Sequence, residues 1–532
     1  MVAAIQMMKS QRFLKIVLSA VAGVYSCAPL AAQTMDVIGV TALRSAATNL
    51  NGAGIRVAQP EAGDGALANW EVNPATVSQP TNLFTYTSAL GSATNYPNLV
   101  GAESGHAGEV GRQFYSPVYG VATNVAHVDS YEANYFINTV VDTLTPISAS
   151  IVNQSFADPD TNSQAAYDLI YDNYAAQFKT LFISGAGNDA RVEPPSTCYN
   201  GISVGAFNNG GNVGGAGPTP NGGRCKPDLT APNVYTSFST PLVSGVAALL
   251  AQAALRGDGG SDTNSAFDLR TIKAILLNGA VKPANWTNAT SSPLDARYGA
   301  GVVNALNSYM QLAGGKQGSI VSNLVSTDAV HPPTGDTGTV GALSGWSFAT
   351  NTSSSTPGRD AIYHYYFNVT NANPALKFSA TATLVWNKQL NKTGINNLNL
   401  FLYKTSNSNL VNSSTSTVDN VEHLYTTNLA QGRYDLQVWK AGGAGIVSAS
   451  EPYALAWEFV PPPVLAVSGG TNHALNWPLY PAGFLVEART NLISGTWSTN
   501  GFSYPVVTNG VNSILLNTTN AGQFFRLRKP NL

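Results

Sequence analysis

The chain has 532 residues, too many for a single hydrophobic core, and its length predicts two or three domains. Charged residues make up 11% of the chain and the formal net charge is -2, so no basic field exists to hold nucleic acid or an anionic membrane. Gly, Ala, Ser, Thr and Asn are common while Lys and Glu are scarce, which favours strands and turns over long solvated helices.

Residues 1–32 have the features of a secretory signal sequence. Basic residues at the start are followed by an apolar run that ends in small residues. We therefore expect a secreted chain whose mature form begins near Gln33; a buried N-terminal helix is the alternative. No other apolar stretch in the sequence is long enough to span a bilayer, so no membrane partner is expected.

Between about residues 40 and 309, short apolar β-type runs alternate with helical ones. This pattern is typical of a parallel sheet with helices on both faces, and it predicts the α/β fold class for this part of the chain. The clearest strands are at 55–58, 150–153, 181–184 and 202–205. Helices are predicted at 163–178, 241–254 and 269–277. The first helix has an apolar stripe made of Ala166, Leu169, Ile170, Tyr174 and Phe178.

Two cysteines remain once a signal sequence is removed. In an exported chain, a disulfide between Cys198 and Cys225 is the default expectation, and two free buried thiols are the alternative. Such a bond would close a loop of about 27 residues, worth roughly 3 kcal/mol in the chain-entropy account.

The composition changes in the second half of the chain. Residues 316–358 are rich in Gly, Ser, Thr and Pro without helical periodicity, which predicts a linker. Residues 359–461 alternate in period two, which is typical of an antiparallel β-sandwich. Three consecutive prolines then precede a smaller all-β unit, placed at 462–532.

The strongest functional signal is the segment Y-T-S-F-S-T-P that begins at Tyr235 and runs into an apolar helix. Ser237 would lie at the positive end of that helix, where backbone N–H groups can meet a developing oxyanion. Taken alone, the segment could be an ordinary helix start.

A second segment, S-G-H-A-G-E-V-G at 104–111, places His106 between glycines at a helix start. Together the two segments resemble the subtilisin-like serine proteases, whose motifs read G-T-S-M-A-x-P-x-V-A-G and H-G-T-H-V-A-G. The resemblance implies that Ser237 is the nucleophile and His106 the general base. The chain departs from the family at Tyr235, which replaces a glycine, and at Glu109, which replaces a second histidine.

The same resemblance supplies two further site residues. The family's strand V-x-V-A-V-I-D-x-G aligns without a gap with residues 55–63 and puts Glu61 at the aspartate position. A glutamate carboxylate can also accept the imidazole Nδ1–H and so fix its tautomer. Asn188, in S-G-A-G-N-D, is similar to the asparagine of A-A-G-N-x-G and is implied as an oxyanion donor. Acid, histidine, asparagine and serine occur in the family's order.

The resemblance covers residues 33–315 and implies a polypeptide substrate bound as an added strand against two short segments. The implied substrate-binding residues are Ser155, Phe156, Ala157, Gly185, Ala186 and Gly187. Calcium is common in the family and is possible here, but the sequence does not support a particular calcium site, so no metal and no other cofactor is expected.

These observations predict a secreted serine endopeptidase that acts through an acyl-enzyme on Ser237. The sandwich resembles the prepeptidase-type domains of secreted bacterial proteases, and cell-surface or glycan contact is one role for the C-terminal β domains. The main alternative is a protease-like protein that no longer cleaves and serves in binding or adhesion. The glutamate, Tyr235 and the short loop before Ser237 favour that alternative.

Overall fold

The computed structural model describes residues 34–207, 213–214, 223–327, 331–469, 473–499, 502, 505–508, 510–516 and 523–528. The predicted signal sequence at 1–32 lies outside these ranges. Within them, an α/β part is followed by antiparallel β-sheets, which confirms the predicted fold class.

The N-terminal half alternates strands and helices. Its strands are β1 (Arg56–Glu61), β2 (Asn69–Glu71), β3 (Phe84–Ser88), β4 (Gly91–Ala93), β5 (Ala102–Glu103), β6 (His127–Glu132), β7 (Ile151–Gln154), β8 (Leu181–Gly185), β9 (Ile202–Phe207), β10 (Val213–Gly214) and β11 (Leu229–Pro232). Its helices are α1 (Val40–Ala46), α2 (Gly105–Phe114), α3 (Ala133–Tyr135), α4 (Gln164–Phe178), α5 (Thr236–Arg256), α6 (Thr263–Ala266), α7 (Leu269–Asn278) and α8 (Ala305–Ala313). Short 3-10 turns cover Thr81–Leu83 and Thr161–Ser163, and a π-helix covers Phe136–Val141.

The main sheet has the order β10-β9-β8-β7-β1-β6-β3-β4, with β11 added beside β9. All neighbours from β9 to β3 are parallel, and the two edge strands are antiparallel. Parallel strands need helical crossovers that cover both faces, which is why β7 and β8 are buried throughout. The carboxyl ends of β1, β7 and β8 therefore meet at one edge of the sheet.

Helix α5 is the principal core helix. Within the described residues it is the one helix long and apolar enough to cross a membrane by composition, but 83% of its apolar window is buried inside the protein. It packs against α2, α8 and several strands of the main sheet. The helix begins at Thr236, so Ser237 lies in its first turn rather than one turn before it.

The predicted apolar stripe of α4 is wrong in part. Ala166 and Leu169 are exposed, whereas two aspartates face the core. Asp168 accepts a bond from Arg224 at 2.6 Å, and Asp172 lies 3.6 Å from the Lys388 ammonium. Ion pairing offsets the cost of burying these carboxylates, and simple hydrophobic periodicity does not register such pairs. The apolar part of the buried face is formed by Tyr167, Tyr171, Tyr174 and Ala175.

The second half contains a two-sheet sandwich. Its strands are β12 (Val321–Ser326), β13 (Ser344–Thr352), β14 (Ser354–Ser355), β15 (Gly358–Val369), β16 (Phe378–Trp386), β17 (Leu398–Lys404), β18 (Asn409–Ser414), β19 (Val421–Leu429), β20 (Gly432–Lys440) and β21 (Ser450–Val460). One sheet has the order β12-β15-β20-β17-β18, with β14 beside β15, and the other has the order β13-β21-β16-β19. Residues 316–358, predicted as a linker, thus contain the three strands β12, β13 and β14. The prediction missed them because small polar side chains obscure the apolar alternation that marks a strand.

The sandwich packs directly on the α/β part. Helix α7 lies against β16 and β21, and Val385, Ala454 and Ala456 belong to the same hydrophobic cluster as Leu276 of α7. Polar bonds also cross this boundary, and one joins Thr383 Oγ1 to Asn278 Oδ1 at 2.9 Å. The two parts therefore share a core.

The C-terminal unit consists of β22 (Ala466–Ser468), β23 (Ala474–Pro478), β24 (Leu485–Arg489), β25 (Val506–Thr508), β26 (Val511–Leu515) and β27 (Phe524–Arg528). Strands β22-β23-β26-β25 form one sheet, and β24 pairs with β27. A small cluster of its own includes Leu475, Trp477 and Val486.

The predicted disulfide is not present, because both cysteines are free. The Cys198 sulfur lies against Gly201. The Cys225 thiol instead faces Leu294, in the α/β part, and Asp419, in the sandwich. The thiols thus occupy different surroundings. Burial raises the pKa of each to about 12, so both remain protonated thiols at neutral pH.

The shared core predicts that both parts unfold together. Ala456 is fully buried in it, so Ala456→Asp places an unpaired carboxylate there and should cost about 3 kcal/mol or more. Calorimetry should show one transition moved to lower temperature, while Val467→Asp at an exposed position should leave it unchanged. Separate transitions, of which only one moves, would contradict the shared core.

Candidate active site

The acid predicted at residue 61 lies at the carboxyl end of β1, in the middle of the parallel sheet. The Glu61 side chain is fully buried, and its Oε1 accepts a hydrogen bond from Gln59 Nε2 at 2.9 Å. The same Nε2 donates to Ala107 O at 3.0 Å, and Gln59 Oε1 accepts from the Tyr115 hydroxyl at 2.6 Å. Gln59 therefore fixes the position of the carboxylate from within the strand.

The histidine predicted as general base meets this carboxylate. His106 is the second residue of α2, whose N-cap Ser104 accepts a bond from Ala107 N at 3.1 Å. Its Nδ1 lies 3.0 Å from Glu61 Oε2. The His106 backbone N–H also donates to Asp64 Oδ2 at 3.3 Å. A carboxylate in this position can hold Nδ1 as the donor and so leave Nε2 able to accept a proton, as an aspartate would.

The electrostatics favour protonation of this imidazole. Burial alone would lower the pKa of His106, but the negative charge and hydrogen bond of Glu61 act against it, with smaller contributions from Asp64 and Glu109. The net result is a pKa raised above the ordinary histidine value. An imidazole of this kind is a stronger base, but it is neutral only at higher pH.

An aromatic side chain lies against the imidazole. The Phe238 ring lies 5.6 Å from the His106 ring, centroid to centroid, and Tyr235 packs edge-on against Phe238 at 6.3 Å. His106 Nε2 is shielded from solvent and has no hydrogen-bond partner in the described part of the chain. The nitrogen that would take the proton of the nucleophile is therefore enclosed in this structure.

The predicted nucleophile is close to the histidine but does not bond to it. Ser237 precedes Phe238, and its hydroxyl donates to Ser155 O at 3.1 Å. In return, Ser155 Oγ donates to Ser237 O at 2.8 Å. Among the residues that the structure describes, no hydrogen bond joins Ser237 to His106. The structure therefore forms the acid–base half of the predicted triad and leaves the base–nucleophile bond unmade.

Asn188, the predicted oxyanion donor, is anchored at the start of α5. Its Oδ1 accepts from Thr236 N at 2.9 Å and from Thr236 Oγ1 at 3.1 Å, which fixes the orientation of the amide. The N–H groups of Phe238 and Ser239 bond to Tyr235 O. Within the described ranges, Asn188 Nδ2 and the Ser237 N–H remain without acceptors. These two donors suit a negative oxygen that forms beside Ser237.

The two predicted substrate segments lie side by side. Residues 155–157 follow β7, residues 185–187 begin at the last residue of β8, and these strands pair in parallel. A side chain on Gly185 would approach Thr236 Oγ1 to 3.2 Å, so this segment lies against the helix of Ser237. Five of the six residues are buried, and Ala157 is partly exposed. They offer backbone groups and small surfaces rather than a wide cleft.

Sequence reasoning missed the residues that support the site. Gln59 could have been found, because it lies two residues before Glu61 and so shares its face of the strand. Tyr115 and Asp64 approach the site only through the tertiary fold. The contact of Phe238 with His106 depends on the size and position of its ring, which no motif encodes.

No metal centre accompanies this site in the described residues, which contain no group of three or more His, Cys, Asp and Glu side chains suited to a metal ion. Two histidines outside the site form internal contacts. His364 Nδ1 lies 2.8 Å from Asp435 Oδ2, and His423 Nδ1 lies 2.8 Å from Thr383 Oγ1.

Comparison with known proteins identifies a family for the central part of the chain. Residues 100–301 match the model of the subtilase family. This range includes His106, Asn188 and Ser237, whereas Glu61 lies before it. The match supports a serine peptidase and, with it, a polypeptide substrate.

No curated protein matches the chain. Among solved structures, tripeptidyl peptidase 2 is 12% identical with a TM-score of 0.29, and the match covers 73% of this chain and 43% of that one. The CBM51 module from Clostridium perfringens GH95 is 11% identical with a TM-score of 0.15, and the match covers 26% of this chain and 94% of that one. Likeness at these scores decides nothing about function, so the predicted glycan contact gains no support.

The Glu61–His106 bond predicts a specific pH dependence. In the intact protein the acid limb of kcat/KM should lie above the ordinary histidine pKa, since only neutral His106 accepts a proton. Glu61→Gln should move that limb to lower pH, because the two largest contributions that oppose burial are lost, and should lower kcat on the order of 10⁴-fold by freeing the tautomer. Peptide hydrolysis measured across pH tests both effects. An unmoved limb would contradict the assignment.

The amide of Asn188 should act only on the transition state. Asn188→Ala is expected to lower kcat by about 10²- to 10³-fold with little change in KM, because one oxyanion donor is lost. Asn162→Ala, at an exposed position on another loop, serves as the control and should keep full activity. A raised KM at unchanged kcat would show that Asn188 holds substrate instead.

Proposed function

Because residues 100–301 belong to the subtilase family, we propose that the chain is a secreted serine endopeptidase with Ser237, His106 and Glu61 as its triad. The observation that supports this best is the 3.0 Å contact between His106 Nδ1 and a fully buried Glu61 carboxylate. Ser237 lies in the first turn of α5, and its own N–H and Asn188 Nδ2 have no acceptor among the described residues. A histidine with a purely structural role would not require both a buried carboxylate at Nδ1 and a serine in the adjacent helix turn.

The proposed reaction follows the serine peptidase scheme. Ser237 Oγ attacks the scissile carbonyl carbon while its proton passes to His106 Nε2, and Glu61 stabilises the imidazolium. Asn188 Nδ2 and the Ser237 N–H receive the negative oxygen. His106 then gives the proton to the leaving amine, and water hydrolyses the acyl-enzyme by the same route in reverse.

One rearrangement has to precede this step. Ser237 Oγ must leave Ser155 O by a rotation about its χ1 angle, and His106 Nε2, which is shielded from solvent, must become accessible to that oxygen. Hydrogen bonds at active sites are often incomplete before substrate binds. A substrate strand that pairs with Ser155 O would compete with the hydroxyl for that carbonyl and so favour the rotation.

The same observations favour a second candidate function. If the Ser237 hydroxyl stays bonded to Ser155 O and His106 Nε2 stays buried, the chain is a protease-like protein that binds polypeptides without cleaving them. Turnover of a denatured protein substrate that is lost in His106→Ala decides for the peptidase. Binding without turnover decides for the alternative.

The nucleophile assignment predicts selective covalent labelling. A fluorophosphonate probe should label the wild-type chain and should fail to label Ser237→Ala, because the phosphonate bonds only to an activated hydroxyl. Ser239→Ala is the matched control from the same helix, since its hydroxyl bonds to Ala231 O and is buried. Labelling that persists in Ser237→Ala would rule out this nucleophile.

Export is part of the proposal and rests on the sequence of residues 1–32. It implies removal of this segment and a mature chain that begins near Gln33. Sequencing of the N-terminus of the exported protein tests it directly, and a chain found intact inside the cell would contradict it.

A further inference from the structure

A third segment, residues 193 and 194, connects the two predicted substrate segments through backbone hydrogen bonds. Glu193 N donates to Ala186 O at 2.9 Å, so this part of the chain is attached to one wall. Pro194 O accepts from Asp158 N at 2.8 Å, which attaches it to the residue that follows the other wall. The chain around residues 193 and 194 therefore forms the floor of the gap between residues 155–157 and 185–187.

The gap opens beside the nucleophile. Ser155 Oγ bonds to Ser237 O on one side, and Gly185 lies against Thr236 on the other. An extended substrate paired with these segments places the side chain that precedes the scissile bond, the P1 side chain, into the gap. The group on the floor therefore determines which P1 side chains fit.

That group is a carboxylate. The Glu193 side chain is 7% exposed, and its Oε2 makes no hydrogen bond among the described residues. A Cβ atom on Gly187 would come within 2.9 Å of this oxygen. The unpartnered oxygen therefore lies against Gly187, the last residue of this segment, whose φ of +100° also favours glycine. An unpaired carboxylate oxygen that is mostly withdrawn from water favours the arrival of a cation.

The surroundings add negative charge. Burial raises the pKa of Glu193, and the carboxylates of Asp189 and Asp158 raise it further, which places both near the floor. One cation opposes them. Arg191 Nε lies 3.4 Å from Glu193 Oε1, and its Nη2 donates to Pro159 O at 2.5 Å. The Arg191 side chain is 44% exposed, so it can move aside, and its presence shows that a guanidinium fits against Glu193.

We propose that Glu193 selects substrates with arginine or lysine at P1, which it pairs through Oε2 at the floor of the gap. This inference rests on the proposed peptidase function and adds its substrate class. Arg191 occupies the outer part of the same site and yields to the substrate cation. Asp189 and Asp158 attract that cation without bonding to it.

The test uses the full mature chain and peptides that differ only at P1, with Arg, Lys, Leu or Glu there. Wild type should cleave the Arg and Lys peptides with a kcat/KM about tenfold or more above Leu, as expected for a charge-assisted hydrogen bond. Glu193→Gln keeps the shape and removes the charge, so it should abolish this preference and leave the Leu peptide nearly unchanged. Glu487→Gln, another buried glutamate that pairs with an arginine far along the chain, is the matched control.

Arg191→Ala provides a second variant that should fold normally, because this side chain is largely exposed. It should lower KM for the Arg and Lys peptides, since the competing cation is gone. A preference for Arg and Lys that survives Glu193→Gln would overturn the inference, as would a wild-type preference for Leu. Absence of any Ser237-dependent cleavage would overturn the peptidase function itself, and the selectivity with it.

Discussion

The proposed chemistry depends on a carboxylate that is taken out of water and bonded to one nitrogen of an imidazole. Removing Glu61 from solvent costs several kcal/mol, so it persists only with partners for both oxygens. Gln59 supplies one and His106 the other. The parallel sheet makes this possible, because β1 lies at its centre and its last residue is surrounded by neighbouring strands and by α2. The family's aspartate is thus replaced without loss of the hydrogen bond, and the raised pKa of His106 follows from the same contact.

The rest of the site surrounds that pair, but the described residues show no hydrogen bond between Ser237 and His106. Ser237 bonds to Ser155 O, and Phe238 packs on the imidazole, so the nucleophile and base remain apart. In the proposed mechanism, a substrate strand that bonds to Ser155 O displaces the Ser237 hydroxyl, so that substrate binding also activates the site. The sandwich contributes differently. Its strands β16 and β21 pack on α7 and share the hydrophobic core of the α/β part. The sandwich therefore stabilises the α/β part and is not an independent appendage.

The sequence was sufficient for the regular parts of this structure and insufficient for side chains whose partners lie far away. Strands at 55–58, 150–153, 181–184 and 202–205 correspond to β1, β7, β8 and β9 because buried parallel strands leave continuous apolar runs. The buried face of α4 was misjudged because its aspartates pair with Arg224 and Lys388, which no local pattern records. The disulfide was expected because an exported chain with two remaining cysteines usually joins them, whereas the fold places the two thiols against different neighbours. Glu61 and His106 followed from motifs, but Gln59, Tyr115 and Phe238 needed the tertiary structure.

The most direct test of the central claim is the crystal structure of the chain after reaction with a peptide chloromethyl ketone. Such a reagent is attacked at its carbonyl carbon by the serine oxygen, and its methylene carbon is alkylated by the histidine nitrogen as chloride leaves. We expect Ser237 Oγ and His106 Nε2 both to be bonded to one inhibitor molecule, with the contact between Glu61 and His106 Nδ1 intact. Unmodified chains in which the Ser237 hydroxyl still bonds to Ser155 O would rule out the proposed triad.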